Sequence, residues 1–264
     1  MSSGFAPASD SSLEEQLHKA YAGSQQMLRH FYASADLKFD VDGNPKNKEK
    51  EGSWTLLSGV IIDDLQLKSG KLELHGHRRL LVFDEQSKQI RGVKTDQKFR
   101  IEIDAHDESE QGPQLAAALT RVFVSTEELG SIVPDYWQDY MARFTGKLSN
   151  GAPCSSSNVQ VDDENGAPQA AAVSTGVAEG LKIHDVPPGY SAIARAYRVQ
   201  GGLALRAVVD KAGNVSRVCI LQALGAGIDD DMVTVVRQWK YQPYLLNGKP
   251  VEIQTTIKAS FGIR

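Results

Sequence analysis

Between Leu148 and Gly180 the sequence offers scarcely one large apolar side chain. Ser, Asn, Gly, Ala and Asp fill it, including the run Ala170-Ala171-Ala172-Val173-Ser174-Thr175-Gly176. Such a stretch cannot bury enough surface to offset its ordering entropy, which predicts a flexible linker over 148–180 with a folding unit on each side. A length of 264 residues fits that division at ~100–200 residues per domain: an amino-terminal domain over 1–147 and a carboxy-terminal one over 181–264. The chain is 41% hydrophobic and 23% charged, enough for real cores. A net charge of -4 supplies no basic surface for neutralising phosphates, so nucleic acid is excluded from the expected partners.

In the amino-terminal domain, Leu13, Leu17, Tyr21, Leu28 and Phe31 recur at a helical period, predicting an amphipathic helix over about 12–32, with Gly23 in its middle. The period then drops to two. Leu37, Phe39 and Val41 alternate with polar residues ahead of the turn signal Asp42-Gly43-Asn44-Pro45, and further strands are expected around 54–62, 72–83 and 99–105. There is little room for crossover helices, so an antiparallel sheet is favoured. A helix follows at Pro113 to Leu119, then an extended stretch at Arg121 to Val124. Ser125 with Glu128 fits a capping box, and a last helix carries Tyr136, Trp137 and Tyr140. Core packing is the favoured role for those aromatics.

The carboxy-terminal segment reads more sharply. Pro187-Pro188-Gly189 leads into a short helix at Tyr190 to Tyr197, ended by Gly201-Gly202. Strands over 203–209 and 215–222 flank the hairpin loop Asp210 to Asn214. Ile228, Met232, Val235, Val236 and Trp239 define one buried helical face, and Asp229, Asp230 and Asp231 at its start suit the helix dipole better than a calcium site. After Pro243 and the turn Asn247-Gly248-Lys249-Pro250, Val251, Ile253, Thr255, Ile257, Ala259 and Phe261 face one way. Glu252, Gln254, Thr256, Lys258 and Ser260 face the other.

Taken in order, several of these elements resemble the TonB C-terminal domain family. They are Pro188-x-Tyr190 with Ala194-Arg195, Gly201-Gly202 opening a strand, Val209-Asp210 with Gly213, Gly225 to Asp229, Arg237-x-Trp239-x-Tyr241-x-Pro243, Asn247-Gly248-Lys249-Pro250-Val251, and a closing strand ending in Phe261. The resemblance covers about 186–264 and stops at the linker. It implies an α+β module of two short helices and a three-stranded antiparallel sheet. It further implies a periplasmic or cell-envelope location in a Gram-negative bacterium, and an outer-membrane TonB-dependent receptor or another envelope protein as partner. Such modules accept an extended receptor segment as an added strand, through backbone groups at a sheet edge. The matching positions here are Val251, Glu252, Ile253, Gln254, Thr255, Thr256, Ile257 and Lys258.

The first 17 residues hold no apolar run of the ~7–15 residues a signal peptide needs, and no stretch approaches the ~18 of a membrane span. The family's membrane anchor and Pro-rich spacer are therefore missing from the pattern. An envelope location then expects a processed or truncated product, or a start placed too late. Cys154 and Cys219 are too few for a disulfide framework and have no zinc spacing; whether they pair stays open.

Two other readings concern the amino-terminal domain. It could bind an envelope lipid or glycan, which an apolar cavity beneath its sheet would favour. Alternatively, His75-Gly76-His77 puts two imidazoles on one strand face, with Asp104, His106 and Asp107 as candidate further ligands of a metal-dependent enzyme. Metal sites need three or four converging ligands, so a solvated strand face is favoured. No nucleophile elbow or phosphate-binding loop is present, and no cofactor, metal site or catalytic residue is expected.

Overall fold

The computed structural model describes residues 12–46, 52, 54–84, 89–106, 111–125, 127–145 and 171–262. The fold is α+β and divides into two compact units, one of Met1–Gly52, Ser58–Arg79 and Lys94–Val124, the other of Ser53–Leu57, Leu80–Val93 and Ser125–Arg264.

The first unit begins with α1 (Leu13–Tyr21), started by a capping box in which Ser12 and Glu15 satisfy each other's backbone N–H. The helix does not continue to residue 32 as its apolar spacing predicts. Gly23 takes φ 72 and gives its N–H to the carbonyl of Ile62, and the chain leaves as β1 (Gln25–Met27). The competing strand pairing wins because Gly weakens a helix and accepts the left-handed turn without strain. There follow β2 (Asp36–Phe39), β3 (Gly59–Lys68), β4 (Lys71–Asp84), β5 (Gln89–Asp104) and the helix α2 (Gln111–Val122), with Leu80–Val93 of β4 and β5 counted in the second unit. The last of these extends through Arg121 and Val122, where sequence suggests extended chain.

The strands form one sheet in the order β1-β3-β4-β5-β2. β1 and β4 lie antiparallel to β3, while β2 lies parallel to β5. Leu17 of α1 and Leu115, Ala118, Leu119 and Val122 of α2 pack against Phe39, Val60, Ile62, Leu72, Leu74, Ile101 and Ile103 from the strands. That one-sided core explains the alternation: in β4, Leu72 and Leu74 are buried and Glu73, His75 and His77 face outward.

In the second unit, Ser125 and Glu128 exchange the capping bonds read from sequence, and α3 (Leu129–Ile132) and α4 (Asp135–Thr145) follow. Of the segment 148–180, residues 148–170 lie outside the described ones. From Ala171 the chain forms β6 (Ala171–Ala172), α5 (Thr175–Leu181), β7 (Lys182–His184) and α6 (Ala192–Ala196). Next come β8 (Gly201–Val209) and β9 (Val215–Gln222), joined by a loop in which Asp210 accepts the N–H groups of Ala212 and Asn214. Gly213 is required there twice over: φ is 83, and a Cβ would lie 1.9 Å from the carbonyl oxygen of Tyr241.

The remaining elements are α7 (Ile228–Val236), β10 (Lys240–Tyr241), β11 (Tyr244–Leu246), β12 (Lys249–Val251) and β13 (Ile253–Phe261). Asn247 and Gly248, at φ 52 and 76, make the two-residue turn between β11 and β12. The buried face of α7 is Ile228, Met232, Val233 and Val236. Trp239 lies beyond the helix end yet is buried: its Nε1 donates to the carbonyl of Val186 at 3.0 Å, and Lys182 Nζ sits 4.3 Å from its ring centroid.

Candidate functional site

β13 runs antiparallel to β8 in unbroken register from Ile253 opposite Val209 to Phe261 opposite Gly201, and β8 pairs in turn with β9. The expected three-stranded antiparallel sheet is therefore present, with β6 added as a fourth strand, parallel to β13. Ile253, Thr255 and Ile257 are buried, while Lys258 and Ser260 are exposed, which matches the alternation of the sequence.

The backbone of β13 divides in the same period of two. The carbonyl of Gln254 accepts the N–H of Val173 at 2.9 Å, and that of Thr256 accepts the hydroxyl of Thr175 at 2.8 Å. Gln254 and Thr256 therefore direct their backbone groups away from β8, and by alternation so do Lys258 and Ser260. Among the described residues, no strand pairs with β13 on this side beyond Gln254.

The eight residues singled out in sequence are thus not one continuous strand. Val251 belongs to β12, opposite Tyr244, and Glu252 sits in the break between β12 and β13. Residues Ile253 to Lys258 lie in β13, where Gln254, Thr256 and Lys258 carry the outward backbone groups. Sequence reading missed Ala171 to Thr175, which occupy part of this edge. The local signals were a β-branched residue, Val173, followed by Ser174, whose hydroxyl caps α5 by accepting from Val177 N.

At the far end of β13 the ring of Phe261 stacks on Tyr190 at 6.1 Å and 15°. Tyr190 donates its hydroxyl proton to the carbonyl of Val199, and Arg195 donates to the carbonyl of Tyr190 at 3.0 Å. A hollow of about 640 Å³ opens there, lined by Tyr190, Ala192, Arg195 and Ala196.

The three aspartates at the start of α7 have separate roles. Buried Asp229 accepts the N–H groups of Leu224 and Gly225 at 2.7 and 2.6 Å, fixing the turn before the helix. Burial still pushes its carboxyl up to about 7. Asp230 accepts from Tyr136 and Trp137 of α4, both at 2.9 Å, and burial raises its pKa too. Burial, with the Asp230 charge beside it, raises the Tyr136 phenol. Asp231 is exposed. Cys219 on β9 is disulfide-bonded; the chain's other cysteine, Cys154, lies outside the described residues.

In the first unit, His75 and His77 do share a face, but each turns to its own carboxylate, Glu73 and Asp63 respectively. Asp104 pairs with Lys46 at 2.6 Å. His106 lines a hollow of about 420 Å³ with Val41, Asp42, Pro113, Gln114, Ala117 and Arg121. Asp107 lies outside the described residues. Among the described residues no three His, Cys, Asp or Glu side chains are grouped to hold a metal ion. Apolar side chains of the strands and of the two helices form the core of this unit.

Residues 186–263 match the family model of the Gram-negative bacterial TonB protein C-terminal. This segment is a TonB C-terminal domain. The match covers the last third of the chain, and the TonB C-terminal domain belongs to a non-enzymatic family of the Gram-negative cell envelope whose members interact with envelope proteins. Among solved structures, the solution NMR structure of Pseudomonas aeruginosa TonB CTD is similar at 22% identity over 31% of this chain and 84% of that one, with a TM-score of 0.28. No curated protein matches the chain. Among the described residues no helix is long and apolar enough to cross a membrane.

Proposed function

We propose that this TonB C-terminal domain binds an extended segment of an outer-membrane TonB-dependent receptor in the periplasm, by strand addition along the outward edge of β13, and transmits energy for transport. The chain is read as a binding protein without catalytic residues or cofactor. The observation that carries the reading is the pairing of β13. Its inner edge and buried side chains are committed to β8 and the core, and its outward backbone at Lys258 and Ser260 meets no described strand. An exposed edge offers a partner main-chain hydrogen bonds with little demand on side-chain identity.

Amide exchange of the full chain, with and without synthetic peptides covering the periplasmic amino-terminal segments of TonB-dependent receptors, tests the reading. Added protection at Lys258 and Ser260 is the expected result. Protection confined to 12–124 would move recognition to the first unit and overturn it.

A further inference from the structure

We propose that residues 171–175 are an internal placeholder on the β13 edge: they occupy the position of an incoming partner strand, which binds fully only when they lift. The proposal deepens the strand-addition reading and rests on it. β6 pairs with β13 at Ile253 and Gln254, and the bonds from Val173 N to Gln254 O and from the Thr175 hydroxyl to Thr256 O continue the cover for two further residues. Ser174 then caps α5, and the chain turns off the edge at Thr256. A partner strand reaching Gln254 must take the same carbonyls, so the two cannot be there together.

The cover is built to be displaced. Ala172, Ser174, Thr175, Gly176 and Val177 are exposed, and Ala178 is the one buried residue of α5. With so little apolar area beneath it, the segment is held mainly by its hydrogen bonds, each of modest net worth, and short exposed elements open locally at low cost. The chain from Leu181 to Val186 is held more firmly. Leu181 accepts from Gln242 N at 2.7 Å, β7 pairs with β10, and Trp239 is bonded to Val186 beneath Lys182. A lifted segment therefore stays tethered beside the edge at high effective concentration and returns when the partner leaves. Meanwhile it shields part of an edge strand from self-pairing. Lys258 and Ser260 remain as the open end at which a partner strand starts.

The test uses the full chain and a variant carrying Val173→Pro and Thr175→Val, which removes both donors while Pro suits the extended chain ahead of a helix. In the unmodified chain the Val173 amide should be protected from exchange; random-coil exchange there would overturn the placeholder. Receptor peptides should bind the variant about tenfold more tightly than the unmodified chain, the fraction of competent edge setting the difference, and should accelerate exchange at Val173. Equal affinity for both chains with Val173 still protected would also overturn it. If no receptor peptide binds either chain, the receptor reading fails on its own. The placeholder then stands if the folded variant self-associates in sedimentation where the unmodified chain does not, and falls if both remain monomeric.

Discussion

The indole N–H of Trp137 donates a 2.9 Å hydrogen bond to Oδ1 of Asp230, joining α4 to the first turn of α7 across 93 residues of sequence. Tyr136 donates to the same oxygen, and Arg237 reaches Asp135 at 3.2 Å. α4 is therefore packed as part of the unit that holds the TonB C-terminal domain. Hydrogen bonds to a charged, half-buried acceptor are worth about 1.5–3 kcal/mol. Trp137→Phe should destabilise the second unit by about that amount in a denaturant melt followed by tryptophan fluorescence. The two remaining tryptophans, Trp54 and Trp239, both lie in that unit, so an unchanged midpoint would mean that α4 is not docked.

The same aspartates set a pH dependence. Burial pushes the Asp229 carboxyl up to about 7 and raises that of Asp230. A carboxyl whose folded pKa exceeds its unfolded value of about 3.9 takes up a proton more readily when folded. Its contribution is fully present below about pH 3.9 and is lost as pH rises toward 7. The melting temperature of the second unit should fall from pH 4.5 to 7.5, and Asp230→Asn should flatten the slope. A rise over this range would contradict the assignment.

How far each element is legible in the sequence depends on how it is stabilised. Ile253, Thr255 and Ile257 declare a buried strand face because local alternation and tertiary burial agree, and Asn247-Gly248 declares its turn through φ alone. The destination of α4 is not legible. Tyr136 and Trp137 show that the helix has an apolar face, but spacing cannot say which surface it meets. Gly23 ends α1 because a long-range bond to Ile62 outweighs a local apolar period. β6 is hidden for a related reason: backbone pairing holds it, with side chains too small to leave a hydrophobic pattern.

Thr255 presents the converse of a satisfied core. Its side chain is buried and its Oγ1 finds no hydrogen-bond partner among the described residues. A buried unpaired hydroxyl costs roughly 1–3 kcal/mol, and valine fills the same shape without it. Thr255→Val should leave the fold unchanged and raise stability by up to about that amount. A loss of stability on thermal melting would indicate that the hydroxyl has a partner in solution.

Trp239 joins the end of the helical region to the chain at Lys182 and Val186. It is 5% exposed, and removing it leaves a cavity beneath that strap. Trp239→Ala should cost on the order of 3–5 kcal/mol, a large fraction of the stability of a domain of this size. Loss of cooperative melting of the second unit is the expected readout. A variant that keeps its stability but loses partner binding would make Trp239 a surface anchor instead.

Proline substitutions along β13 separate the partner edge from the sheet itself. By the alternation that turns Gln254 and Thr256 outward, the N–H of Lys258 points away from β8 and that of Ala259 toward it. Proline is tolerated on an edge strand where its missing N–H faces solvent, and breaks the ladder where it does not. Ala259→Pro should therefore unfold the second unit, as seen in tryptophan fluorescence. Lys258→Pro should leave that unit folded while weakening receptor-peptide binding by about tenfold or more, because an outward donor is gone and the ring obstructs pairing. Lys258→Ala keeps the backbone donor and removes only an exposed side chain, so affinity should change by no more than about twofold. Equal losses for Lys258→Pro and Lys258→Ala would place the contact on the side chain rather than the backbone. Full binding by a folded Lys258→Pro variant would remove this edge from the interface.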